Sequence, residues 1–483
     1  MSNPEATPPT SHIASGAEVP SEERHFKRAL GLFPAISVNM TQMCGIGPFI
    51  TIPVMVATMG GPQALLGWIV GALLAMADGL VWAELGAAMP GAGGTYVYLR
   101  EAFQYRTGRL MPFLFIWTAM LSIPLIMSTG AIGIVEYLGY YFPHMSWAVQ
   151  HLIGVGVVVL VVAALYRRIE SIARLTAVLW GVMLVCVGTI IVATLTNFDP
   201  ALAFDFPSGA FELNGAFFAG LGGGLLIAVY DYLGYFTVAY MGEELREPGR
   251  VMPRAIVYSI TGIMVIYLAL NVGVMGVLPW KEVADATSIA SLVMEHTWGK
   301  GAAQVLTALV VVTAFASVFA GLLGGSRVPF NAARDRLFLP VFGRLHPRLN
   351  FPHVALLVMG AITAAGSFFE LETVLQMFTA VAVLVQSLAQ VAALTVLRRR
   401  QPGLRRPYRQ WLYPVPSVLA VIGWIYVYYA AGTSAIWLSL AWIALGVVAF
   451  LIWARFERTW PFGPKEIREK YLSEQDAEAS PSS

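Results

Sequence analysis

Apolar stretches of about 20 residues recur twelve times along this 483-residue chain, and few things a polypeptide can do constrain its fold more. In lipid the backbone must satisfy its own hydrogen bonds, so each stretch is expected to be a membrane-crossing helix. The stretches lie roughly at 32–58, 63–89, 110–139, 147–166, 172–196, 214–240, 254–279, 301–330, 353–369, 372–396, 412–432 and 435–454. Charged residues make up 12% of the chain and hydrophobic ones 57%, which excludes an ordinary soluble domain. If the N-terminus is placed inside, 28 of the 30 Lys and Arg residues fall in inside segments, and only Lys281 and Lys300 fall outside. Cytoplasmic loops carry the basic excess, so the split predicts an even number of crossings with both termini cytoplasmic in the cell membrane. A net charge of +2 therefore carries no message about nucleic acid; runs such as Arg398-Arg399-Arg400 are read as topology determinants, with lipid head groups as neighbours.

Two crossings are interrupted in a patterned way. The first reads Cys44-Gly45-Ile46-Gly47-Pro48 at its centre, and the sixth carries Gly220, Gly222, Gly223 and Gly224 early, then Tyr230-Asp231-Tyr232-Leu233-Gly234. Glycine and proline weaken a helix where no water can replace the lost bonds. A helix stopped near Met43 leaves free carbonyls, and one restarted near Pro48 leaves free amides. The amides of Gly45, Ile46 and Gly47 are thus expected to face an anion, and carbonyls around Tyr230 and Leu233 a cation. Opposite helix ends set close together suit a zwitterion such as a free amino acid. The bland alternatives are close helix packing for the Gly220 to Gly224 run and a simple proline kink at Pro48. Paired interruptions in two halves are nevertheless the best pointer to a transporter site.

Four motifs then resemble, in order, those of the amino acid, polyamine and organocation (APC) superfamily of permeases. They are GIGPF at Gly45 to Phe49, PGAGGTYVYLREAF at Pro90 to Phe103, YLGY at Tyr232 to Tyr235 with GEELREPGRVMPRAI from Gly242, and GSRVPFNAARDRLFLP from Gly325 to Pro340. The resemblance implies an all-α membrane protein with 12 transmembrane helices, arranged as a five-plus-five inverted repeat with discontinuous helices 1 and 6. It places repeat 1 at about 31–196, repeat 2 at about 212–397 and two appended helices at about 412–455, between tails at 1–30 and 456–483. It also implies carboxylate-binding amides at Gly45, Ile46 and Gly47, and amino-binding carbonyls at Met43, Tyr230 and Leu233, with Gly234 in the same break. Tyr230 would be the aromatic gate over the substrate; its other reading is a core or lipid-facing aromatic. The sequence departs from the family pattern at Ile46, where a small residue is usual, and in helix 5, where a lysine common among relatives has no counterpart.

Asp231 is the most demanding residue in the chain, because an isolated Asp in mid-membrane costs about 2.5 to 3.5 kcal/mol. It is expected to face the cavity and balance a cationic group, or to carry a coupling proton in place of the absent lysine. The alternative is a protonated Asp bonded to local backbone. Asp78 and Glu84 in crossing 2 are secondary candidates, expected to cap or pair with the cytoplasmic loops, and Tyr96 and Tyr98 are expected to pack at that face. Cys44 and Cys186 offer no disulfide framework, and the seven histidines lie in tails, loops and helix ends, so neither a metal nor another cofactor is expected. A channel would need a continuous polar stripe and a membrane enzyme a cluster of catalytic side chains. The expected function is secondary transport of amino acids with neutral or cationic side chains, the alternative a polyamine or other organic amine.

Overall fold

The computed structural model describes residues 30–90, 94–166, 170–347 and 351–462. Most of both predicted tails and Gly91 to Gly93 of the PGAGG motif lie outside them. The described residues form helices without a strand; a single backbone bridge joins Leu30 to Leu245. Eight helices are long and apolar enough to cross a bilayer, Leu32–Met43 and Gly47–Met59 form a bent pair, and Gly181–Thr196, His353–Gly366 and Val415–Ala430 are shorter apolar helices. These account for all twelve expected crossings in order. Crossing 7 starts at Pro248 rather than near 254, because a polar turn helped by proline in its first turn is helical before the apolar stretch begins.

The two halves repeat an order of elements. A broken crossing is followed by a continuous one, then by surface helix, then by the next crossing. In the first half the surface helix is Thr95–Thr107; in the second it is the pair Trp280–Asp285 and Ile289–Trp298. Crossings 4 and 12 are peripheral, with 22% of their apolar window buried against 67% for crossing 3. Leu152, Leu160, Trp437 and Ile452 on these outer helices point away from the bundle. The centre is therefore built around crossings 1, 2, 3, 6, 8 and 10.

At the basic end, the buried carboxylate of Glu84 fastens crossing 2 to the loop after crossing 10. Arg398 donates to it through both Nε, at 2.8 Å, and a terminal nitrogen, and the Gln410 amide donates at 2.6 Å. Arg406 Nε lies 3.5 Å from the same carboxylate, while its Nη2 donates to the carbonyls of Leu397 and Gln401 and so caps the end of crossing 10. Tyr96 donates to Asp335 at 2.9 Å and Thr95 to Gln390 at 2.7 Å, tying the surface helix to the second half. Tyr98 is fully buried beside Trp82.

Candidate substrate site at the helix breaks

The first crossing bends by 55° at Cys44, Gly45 and Ile46. The Cys44 amide still reaches Met40 O at 2.8 Å, so the incoming helix is complete to Met43. The outgoing helix starts at Gly47 with Pro48 in its first turn, where a missing N–H costs nothing. Between them, the amides of Gly45 and Ile46 have no hydrogen-bond partner among the described residues. A Cβ on Gly45 would lie 2.9 Å from Ser317 Oγ, so crossing 8 closes over the break.

The sixth crossing runs as α-helix from Gly215 to Tyr232 and resumes as a 3-10 helix over Thr237–Glu244. Leu233 is extended and donates back to Val229 O and Tyr230 O at 3.0 and 3.2 Å. Gly234 has φ +124°, and a Cβ there would sit 2.9 Å from the Gln42 side chain and 3.0 Å from its backbone. Glycine is thus required twice over, for the backbone angle and for the approach of the first crossing. The Leu233 carbonyl has no partner among the described residues.

Three side chains join the two breaks. Asn39, fully buried in crossing 1, donates to Tyr235 O at 2.6 Å and accepts from the Val238 amide at 2.9 Å, satisfying backbone that the sixth crossing leaves open. Tyr267 in crossing 7 directs its hydroxyl to Met43 O at 2.7 Å and Asp231 O at 3.1 Å, one proton between a carbonyl of each break. Asp231 Oδ2 lies 2.5 Å from Thr51 Oγ1, whose hydroxyl is also 2.9 Å from Gly47 O. Removing the Tyr267 hydroxyl strands two buried carbonyls, at a cost of about 1 to 3 kcal/mol. Tyr267→Phe is therefore expected to lower the unfolding free energy of the purified protein by about that amount, read from detergent-solubilised unfolding; an unchanged curve would show that the bridge holds nothing.

The expected site residues Met43, Gly45, Ile46, Gly47, Tyr230, Asp231, Leu233 and Gly234 all lie at the two breaks, with three qualifications. The Met43 carbonyl is occupied by Tyr267 and the Tyr230 carbonyl by the Leu233 amide, leaving Leu233 as the open one of the three. The Tyr230 ring is buried between crossings 3 and 10, its hydroxyl 2.6 Å from Thr129 Oγ1 and its ring in a T-shaped contact with Phe378, so it faces no lipid. Ile46 turns its branched side chain to crossing 3, where Gly133 makes room for it.

Asp231 is 2% exposed and, among the described residues, has no ion pair. It lies against Gly47 so closely that a Cβ there would overlap Oδ1, and Oδ1 has no hydrogen-bond partner among the described residues. The acid of crossing 6 thus occupies the start of the second half of crossing 1, a helix end whose partial positive charge favours an anion. Asp78 corrects its expectation. Glu84 pairs with a loop as anticipated, but Asp78 accepts hydrogen bonds from Tyr235, Trp82 and Trp424 deep in the bundle, and meets no loop. Sequence reasoning gives Asn39, Thr51, Thr129 and Tyr267 no place in the site. Asn39 and Tyr267 stand among apolar neighbours, a weak signal; Thr51 and Thr129 bond to their own helices, as membrane threonines commonly do, and give none.

Residues 30–461 match the family model described as amino acid permease. The chain is 30% identical to an uncharacterized transporter of Mycobacterium tuberculosis over 438 residues, 90% of this chain and 92% of the relative. It is 24% identical to a branched-chain amino acid permease of Bacillus subtilis, covering 90% and 95% of the two chains. With a serine/threonine exchanger of the same organism it shares 25% identity, over 84% and 92%.

Proposed function

The chain belongs to the amino acid permease family of the APC superfamily, a multi-pass membrane transporter and not an enzyme, and from that premise we propose that it moves amino acids with neutral or cationic side chains by alternating access. The observation that carries the reading is the pairing of opposite needs within one gap. The Gly45 and Ile46 amides lack an acceptor, while the Leu233 carbonyl and Asp231 Oδ1 lack a donor. A zwitterion supplies both, its carboxylate to the amides and its ammonium to the oxygens. Relatives named for branched-chain amino acids and for serine and threonine support a neutral side chain. The basic split supports cytoplasmic termini in the cell membrane, and Asp231 is the candidate carrier should a proton be coupled.

A second reading has its own support. Asp231 already holds the helix end that a substrate carboxylate would seek, and an organic amine without a carboxylate would meet no competition there. A thermal-shift panel of amino acids and polyamines on the purified protein, followed by uptake of the hits, separates the two. Neutral amino acids are expected to raise the unfolding temperature. Stabilisation by polyamines with every amino acid silent would transfer the function to amines.

A further inference from the structure

Asp78 stands at the edge of a small space beside the sixth-crossing break. It lies on the crossing 2 side of a cavity enclosed by the sixth-crossing break, crossing 10 and crossing 11, with Phe236, Phe378, Thr379, Gln386 and Ser387 among its walls. The free space is about that of one water molecule, too small for an amino acid. Crossing 10 passes it as a π-helical turn over Val383–Leu388, a distortion of the kind that marks functional positions in helices.

The charge of this space is unbalanced. Asp78 is 1% exposed and receives hydrogen bonds from Tyr235 at 2.5 Å and from Trp82 and Trp424 at 3.1 Å each. An indole N–H can only donate, so both carboxylate oxygens act as acceptors, one toward each tryptophan. All three donors are neutral. No basic side chain lines the cavity, and among the described residues Asp78 has no ion pair. A second wall residue points the same way: Thr379, 1% exposed, has a buried hydroxyl oxygen without a partner. Trp82 stacks on Phe236 at 4.4 Å and meets the acid through its N–H edge. A buried carboxylate held by neutral donors alone and an unsatisfied hydroxyl at the wall of one water-sized space are together the surroundings that favour a small cation.

We propose that this cavity binds one small monovalent cation, an alkali metal ion or ammonium, with Asp78 as its charge partner and Thr379 Oγ1 as a neutral oxygen. The site is separate from the gap between the breaks but touches it, since Leu233 and Phe378 belong to its wall while Phe378 also meets Tyr230. An occupant would therefore brace the sixth-crossing break from the side of crossing 10.

The test uses the full chain in detergent, without any amino acid, so that it stands or falls apart from the transport assignment. The unfolding temperature is followed as lithium, sodium, potassium or ammonium chloride replaces N-methylglucamine chloride, a cation too large for the space, at constant ionic strength. A saturable rise with one or more of the small cations is expected, and the arms show whether it is the alkali ions or ammonium. Asp78→Asn is expected to abolish the rise. Because that change also disturbs three hydrogen bonds, Thr379→Val provides the second arm: it keeps the carboxylate and its donors, and is expected to raise the half-saturating concentration about tenfold. No difference between small cations and N-methylglucamine would overturn the proposal. So would an undiminished response in both variants, or stabilisation by lowered pH with all the salts silent, which would make a proton the partner of Asp78.

Discussion

Gly47→Val is expected to lower uptake by about a hundredfold or more, the scale on which a displacement of about 1 Å disables a positioned site. A side chain at this position meets Asp231 before it meets a ligand, because the first atom beyond Cα would overlap Oδ1. Either the acid moves away or the two half-helices separate, and each disturbs the oxygen and amide groups that face one another across the gap. Overpacking of this kind also destabilises by about 1 to 3 kcal/mol, so the variant is expected to melt earlier than the native protein. Gly47→Ala combined with Asp231→Ala distinguishes the consequences. The side chain shortened at position 231 leaves room for the new methyl, so the pair should melt later than Gly47→Ala alone, while uptake stays low because the oxygen that faces the gap and the bridge to Thr51 are both gone. Normal uptake by Gly47→Val would show that the close approach is dispensable and would remove the breaks from the transport site.

The crossings were legible in the sequence because a bilayer imposes one requirement on each of them, about 20 apolar residues, that can be read without knowing any neighbour. The breaks were legible for a similar reason, since glycine and proline announce themselves locally. What these breaks touch was not. The Met43 carbonyl is claimed by a tyrosine 224 residues away, and nothing near either residue signals the other. For Asp78, as for Glu84, the sequence offers capping or pairing with the cytoplasmic loops as the plain alternative to a cavity role. The actual donors to Asp78, Tyr235 and Trp424, are brought to it by the packing of crossings 6 and 11, at separations of 157 and 346 residues. The fit of Ile46 depended likewise on the absence of a side chain at Gly133.

Asp231→Asn is expected to leave uptake of neutral amino acids measurable and to abolish discrimination against acidic ones. The substitution keeps the shape and a partner for Thr51, and removes only the charge beside Gly47. In the native protein a glutamate or aspartate would bring a side-chain carboxylate, beyond the α-carboxylate that every amino acid carries, into a gap that already holds Asp231. Two charges about 4 Å apart interact by about 4 kcal/mol at the dielectric of a partly screened site, against about 1 kcal/mol in water. At about 1.4 kcal/mol per factor of ten, the native preference for neutral over acidic substrates should exceed a hundredfold and shrink to near parity in the variant. Competition of labelled neutral uptake by unlabelled glutamate measures it directly. A proton-carrying Asp231 predicts a different pattern for the same variant: exchange of internal for external substrate persists, while accumulation driven by a pH gradient vanishes. Loss of selectivity with intact pH-driven accumulation assigns the acid to charge selection, and the converse assigns it to coupling. Should both survive, neither role holds, and the contacts with Thr51 and the end of the helix that begins at Gly47 would be what keeps an acid at this position, as a brace between the two breaks.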